Sequence, residues 1–385
     1  MNKKILSTMV GAVLAGGLSV AAADIVVFGH IDTSIDATDQ DGGTDDINFH
    51  CNTCSIGFKG SEDLGNGLKA IFKLDFQYDV FSRDTTSFTD RDQWLGLAGS
   101  NWGQVRWGTI STPYKSHGAM IDPLYRTALQ GRARGVQSDF HNGAGENLQG
   151  RADHTIRYDT PDWNGLKAAV FYTLDSSERD GVPGPGNPKG EEDNDPYGVG
   201  VQYSNGGLLG FADWMDNNGS KKDTGGDISA WKLGGKYMLN AGGLKFGFYG
   251  QYEDASIDEA SASNITDLDF QLWHVAASAQ MGNTMAYYAF GQGEYDFNGL
   301  GGKSDDYDTW TLAIIHNMSK RTKVYMGFSQ VDCDARVFKA DVPAVSQPPL
   351  TLGIDSSACG TVDSDANLGK RGEDDKFSIG MKHIF

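Results

Sequence analysis

The sequence predicts an all-β fold, a transmembrane antiparallel up-and-down β-barrel of sixteen strands with a long third loop, and three observations lead there. The chain ends in KFSIGMKHIF, where Phe377, Ile379, Met381, His383 and Phe385 alternate with Ser378, Gly380 and Lys382. A strand with one apolar face and a terminal aromatic suits the closing strand of a barrel facing lipid. At the other end, MNKK precedes the apolar run ILSTMVGAVLAGGLSV and the small residues Ala21-Ala22-Ala23. That is the pattern of a cleaved secretory signal, so residues 1–23 are expected to be removed and 24–385 to form one barrel domain. Between the ends one unit repeats: an alternating stretch, a short turn, a second alternating stretch, then a longer polar loop.

The strands follow in order. DIVVFGHIDTSID opens the barrel, and CSIGFKGSED meets LKAIFKLDFQYD at the turn LGNG. In the latter strand Ala70, Phe72, Leu74, Phe76 and Tyr78 share one face, while Lys69, Ile71, Lys73, Asp75, Gln77 and Asp79 share the other. An apolar column backed by a mostly charged one fits a wall between lipid and water better than a soluble sandwich. On this register Phe72, Leu74 and Phe76 face outward, and Lys69 and Lys73 face the lumen. Further pairs meet at Asn101-Trp102-Gly103, Asn164-Gly165, Asn205-Gly206-Gly207, Ala241-Gly242-Gly243, Gly282-Asn283 and Ser319-Lys320-Arg321. With the terminal strand the count reaches sixteen, and the connections alternate short and long, as periplasmic turns and outer loops do.

Composition narrows the function. No apolar run after the leader approaches the roughly 18 residues a spanning helix needs. The mean hydropathy of -0.41 is compatible with strands that are greasy on one face only. Fifty-one glycines suit tight turns, and 8 Trp with 15 Tyr suit aromatic girdles at the membrane interfaces. A net charge of -19 argues against nucleic acid as a partner. Four cysteines in an exported chain point to disulfides. Cys333 and Cys359 flank a Pro-containing stretch and are expected to close it. Cys51 and Cys54 form CNTC, which lacks the following His of a haem site and the further ligands of a metal site; a bond between them requires a turn or bulge. No metal or cofactor is expected.

The connection 114–151 is different. It is rich in Gly and Arg, shows little strand alternation, and carries Met, Leu, Tyr, Val and Phe that argue for packing against something.

SIGFKGSEDLGNGLKAIFKLD, WLGLAGSNWGQVRWGT, DHTIRYDTPDWNGLKAAVFY and the terminal KHIF resemble the general porins of Gram-negative proteobacteria. The resemblance implies a homotrimer in the outer membrane, in contact with lipid and lipopolysaccharide. It implies a third loop folded into the pore and passive diffusion of ions and small polar solutes. It further implies a ladder of wall cations facing acids on that loop. Lys59, Arg91 and Arg157 match the family's wall positions, and alternation puts each on a polar column: Lys59 with Ser55, Arg91 with Gln93, Arg157 with Thr155 and Asp159. Arg106 shares a column with Gln104 and Gly108 and joins them. Asp122, Asp139 and Glu146 are the candidate acids opposite, beside the loop's own Arg126, Arg132 and Arg134. Two departures remove family cations: Ser55 stands where Arg is frequent, and Gly108-Thr109-Ile110 where Gly-Arg-Gln is.

Rival functions lack residues. An outer-membrane enzyme needs a nucleophile and base; no GxSxG elbow occurs, His154 lies on an apolar column, and His30 and His117 have no evident partner. A substrate-specific channel needs an aromatic track, for which only Tyr249 and Tyr288 are candidates. A soluble adhesin would expose the apolar columns to water.

Overall fold

The computed structural model describes residues 24–40, 46–82, 88–134, 150–174, 196–216, 227–258, 267–298, 303–333 and 372–385. Nearly all are strand: β1 (Asp24–Gln40), β2 (Asp46–Cys51), β3 (Ser55–Gly65), β4 (Leu68–Gln77), β5 (Thr89–Gly99), β6 (Gly103–Ser111), β7 (Arg151–Asp159), β8 (Leu166–Thr173) and β9 (Tyr197–Asn205), then β10 (Leu208–Asp216), β11 (Asp227–Ala241), β12 (Leu244–Asp258), β13 (Asp267–Met281), β14 (Thr284–Asn298), β15 (Lys303–Asn317), β16 (Thr322–Cys333) and β17 (Gly372–Ile384). Every pairing in the sheet is antiparallel, and apart from β1–β3 and the closing β1–β17 pair the partners are consecutive in the chain. No described helix is long and apolar enough to cross a membrane.

The seventeen segments make sixteen staves, because β2 and β3 are one stave broken in the middle. Both pair with β1, β2 against Thr33–Thr38 and β3 against Asp24–His30. The break is CNTC. Cys51 and Cys54 are disulfide-bonded with Cα atoms 5.8 Å apart, and Thr53 between them has φ 53°. Three residues apart on a regular strand their side chains would diverge; the kink turns them together. Cys359 lies outside the described residues, and with it the expected Cys333–Cys359 pair. Residues 1–23 lie outside them too.

The ends of the chain meet. β1 pairs with β17 from His30↔Ile384 to Gln40↔Asp374. Gly29 and Phe385 then exchange two backbone hydrogen bonds of 3.1 Å, which complete the ring. Closure leaves no edge strand, as a barrel in lipid requires.

The faces follow the predicted alternation. On β17, Phe377, Ile379 and Met381 are 40–48% exposed, while Ser378 is 0% and Lys382 6% exposed. On β4, Leu74 is exposed outward, and Lys73 and Asp75 bond to one another on the lumen side. Outward aromatic pairs, Tyr197–Trp214, Trp231–Tyr252, Trp273–Phe290 and Trp310–Phe328, run around β9–β16 at 5.3–5.7 Å between ring centroids. The short hairpins need left-handed residues, supplied by Asn66-Gly67 and Gly242-Gly243.

Candidate pore lining

The lumen wall has two unlike halves. On β3–β7 it is charged. Lys73 Nζ lies 2.9 Å from Asp92 and 3.4 Å from Asp75. Arg91 Nε lies 3.4 Å from Asp75, and its Nη1 donates to Gln77 at 2.8 Å. Arg151 Nε donates to Asp92 at 2.9 Å. Arg157 Nη2 donates to Asp159 at 2.6 Å, and Arg106 bonds to the same carboxylate. Arg106 also stacks 5.0 Å over Trp94, and Lys59 and Lys73 both approach the Phe28 ring, at 5.4 and 5.5 Å. The cations expected here, Lys59, Arg91, Arg106 and Arg157, therefore stand on one arc of wall. They are interleaved with carboxylates rather than forming an uninterrupted basic ladder.

Two bulges build this arc. Leu74 pairs with Gln93 but Phe76 with Asp90, so β5 carries one extra residue. That turns both Arg91 and Asp92 to the lumen and leaves Gln93 on the outward face beside Leu95. The alternation argument that grouped Arg91 with Gln93 is thus corrected: the arginine faces the lumen because the strand slips, not because its column continues. The second bulge lies in β7, where Gly108 pairs with Thr155 and Ile110 with Ala152. It admits Arg151 beside Asp92, with His154 at φ 46° on the outer side.

On β10–β16 the wall carries an apolar patch among a few buried charged groups, and the third loop lies on it. The loop starts with α1 (Pro113–Gly118), capped by Thr112, whose hydroxyl accepts from Lys115 N at 3.2 Å. Ile121, Leu124 and Leu129 pack with Leu209, Phe211, Tyr249, Tyr287, Ile315 and Tyr325 of the wall. Close approach needs glycine. A Cβ on Gly200 would stand 2.4 Å from Pro113 Cβ, and one on Gly327 would stand 2.7 Å from Leu129 Cδ1. The expected packing of the loop's apolar residues is thereby located. Tyr249 faces inward but is buried in this cluster, and Tyr288 faces outward, so neither forms an aromatic track; Tyr287 is the inward neighbour.

Polar bonds tie the loop down. His117 Nδ1 lies 2.7 Å from Asp213, and Tyr114 hydroxyl donates to Glu253. Asp122 accepts from Leu124 N and Gly131 N of its own loop, both at 2.8 Å, and is within electrostatic reach of the wall lysines Lys323 and Lys382. Arg126, with φ 63°, reaches β1, its Nη1 3.1 Å from His30 Nδ1. Arg91 is within electrostatic reach of it. Among the described residues Arg91 Nε, Arg126 Nε and His30 Nε2 have no hydrogen-bond partner. Arg134 donates to Ser329 and Asp374 at 3.0 Å each. Asp139 and Glu146 lie outside the described residues.

The departures from the family pattern find local explanations. Ser55 hydrogen-bonds His30 at 3.1 Å, and Thr109 donates to Asp153 at 2.9 Å. Arg126 and Arg151 bring charge near the places where arginine is absent. Lys73, Asp75 and Asp159 were visible on predicted polar columns; Asp92 was hidden by the bulge, and Arg151 by its place at the loop's end.

The profile of the Gram-negative porin family matches residues 8–336, and the chain belongs to that family. Outer membrane porin protein 32 of Delftia acidovorans is 27% identical over 337 residues, covering 84% of this chain and 88% of that protein. Major outer membrane protein P.IB of Neisseria meningitidis is 26% identical over 341 residues, covering 84% and 91%. Among solved structures, the anion-selective porin from Comamonas acidovorans superimposes with a TM-score of 0.68 at 22% identity, over 94% of this chain and 100% of that one. The protein is an outer-membrane channel for passive diffusion of solutes, not an enzyme.

Proposed function

We propose that the third loop and the β3–β7 arc together form the constriction of this channel, and that the constriction favours small anions. The observation that carries the reading is the reach of Arg126 to His30 on β1, with Arg91 of the charged arc within electrostatic reach of both. A barrel of this size leaves a wide aqueous lumen unless something fills it. The loop fills the apolar half, which leaves the passage along the charged arc. There Lys59, Lys73, Arg91, Arg106, Arg151 and Arg157 outnumber Asp75, Asp92 and Asp159. Arg126 adds a cation from the loop side, so the passage carries a positive potential, moderated by the in-wall carboxylates. Fixed charges in a narrow, low-dielectric passage set ion preference. The relative described as anion-selective supports the same sign.

The mature chain begins at Asp24, where β1 starts. It acts as a homotrimer. β17 and β1–β4 present Ile, Val, Phe, Leu and Met outward without a Trp or Tyr, and this is the sector suited to a sister subunit. The aromatic pairs of β9–β16 suit the lipid and lipopolysaccharide interface. Planar-bilayer recording in a salt gradient tests the constriction. Replacing Arg91 and Arg157 by Gln shifts the reversal potential toward cations, and removing 119–131 raises single-channel conductance. If neither change alters the current, selectivity lies elsewhere and the reading fails.

A further inference from the structure

Four lysines of the inner wall donate to backbone carbonyls of the third loop. Lys232 reaches Tyr114 O; Lys236 reaches Met120 O at 2.6 Å; Lys323 reaches Pro123 O at 3.0 Å; Lys382 reaches Tyr125 O at 2.9 Å. The acceptors follow one another along the loop, and the donors stand on β11, β16 and β17. Such a segment has irregular backbone, and its buried carbonyls need donors that no helix or sheet ladder supplies. An ammonium carries three donors on a flexible stem and suits a carbonyl whose position the wall does not fix.

We propose that Lys236, Lys323 and Lys382 are positioning residues that set the bore by strapping the third loop to the wall, and that they contribute little to ion selectivity. By sequence they look like further lumen cations. By geometry their ammonium groups donate to the loop backbone, and Lys382 also lies 3.9 Å from Asp32 of β1. The proposal covers the segment 120–125, which contains Arg126's immediate approach and therefore fixes where that guanidinium stands. Lys232 is fully buried beside Glu253 and Tyr114 and belongs to the root of the loop rather than to the straps. A hydrogen bond to a charged donor biases the docked loop by about tenfold in population. Losing two straps therefore gives a loop that leaves the wall often enough to be seen in single-channel records.

The inference rests on the reading that the loop narrows the passage, and the experiment separates the two. The double variant Lys323→Met/Lys382→Met, reconstituted as full-length channel, is compared with the parent for open-channel noise, for liposome swelling with sugars of increasing size, and for reversal potential. The expected result is a several-fold rise in noise and entry of larger sugars, with a smaller reversal-potential shift than Arg91→Gln/Arg157→Gln gives. Lys323→Arg/Lys382→Arg, which keeps the donors, restores quiet current and the parent size limit. Lys236→Met, at a half-exposed position, serves as an independent variant if the double one does not fold. A shift in reversal potential alone, with noise and size limit unchanged in whichever variant folds, overturns the strap and makes these lysines ordinary pore charges. If removing 119–131 leaves conductance unchanged, the constriction reading fails first. If that deletion raises conductance while the lysine variants stay quiet, only the strap fails.

Discussion

The wall of β3–β7 and the wall of β10–β16 face the same lumen and are built on opposite principles. The first is a lattice of guanidinium, ammonium and carboxylate groups at 2.6–3.4 Å, opened by two bulges. The second is built around an apolar patch covered by Ile121, Leu124 and Leu129 of the loop, its charged groups bonded to that loop or buried beneath it. In a soluble protein an apolar inner face would be core and a charged one surface. Here both sides lie inside one barrel, and the loop turns half of that interior into core. The difference teaches that bore and selectivity are set by different residues: packing on one half decides how much lumen remains, and charge on the other decides what crosses it.

The largest test of that division is on the apolar half. Leu124→Ala with Leu129→Ala removes buried methyls that hold the loop, each costing about 2–5 kcal/mol where the site does not collapse. Liposome swelling with larger sugars should accelerate markedly while ion preference changes little. An altered reversal potential with an unchanged size limit would break the comparison.

On the charged half, Asp92→Asn leaves Lys73 and Arg151 without their shared carboxylate. Removing one member of a buried ion pair costs about 3 kcal/mol. The reversal potential in a salt gradient should move toward anions, with the sugar size limit unchanged.

Gly200→Ala probes the boundary between the halves. The added Cβ meets Pro113 and Asp213, so α1 must lift from the wall, at about 1–3 kcal/mol of overpacking. The expected sign is noisier current with a barrel that still shows heat-modifiable gel migration; quiet current would mean that α1 does not anchor the loop.

The smallest effect on permeation is expected from Cys51→Ser/Cys54→Ser. The disulfide holds a kink from which Asn52 donates to Asp32, Ser34 and Tyr325, where the two halves join. Its loss should lower barrel stability by about 2 kcal/mol in the chain-entropy picture, read as a lower heat-modification temperature, and leave conductance close to the parent value.

Much of this was legible in the sequence. Period-two alternation located every stave, and the columns on β4 and β17 kept the faces it assigned, because one face must meet lipid and a one-residue slip would invert it. The wall cations Lys59, Arg106 and Arg157 were readable for the same reason. Arg91 was found by resemblance, but its stated column was wrong, since a bulge is one extra residue that leaves no mark on composition. Asp92 was missed through the same slip. The loop's apolar residues announced that it packs on something, yet not on which half, because that choice depends on strands far along the chain. Asp122 was readable as a loop acid, but its two backbone donors were not, because such local capping by Asp is a property of the folded turn.

The joint between Gly29 and Phe385 carries a consequence in time. One side of the first stave has no partner until β17 is in place. Without β17 the ring cannot close, and the pairing brings together residues far apart in the sequence, the slowest kind of contact to find. Closure of this channel thus depends on a contact between distant parts of the chain, where the ring of Phe385 lies over a glycine that leaves room for it.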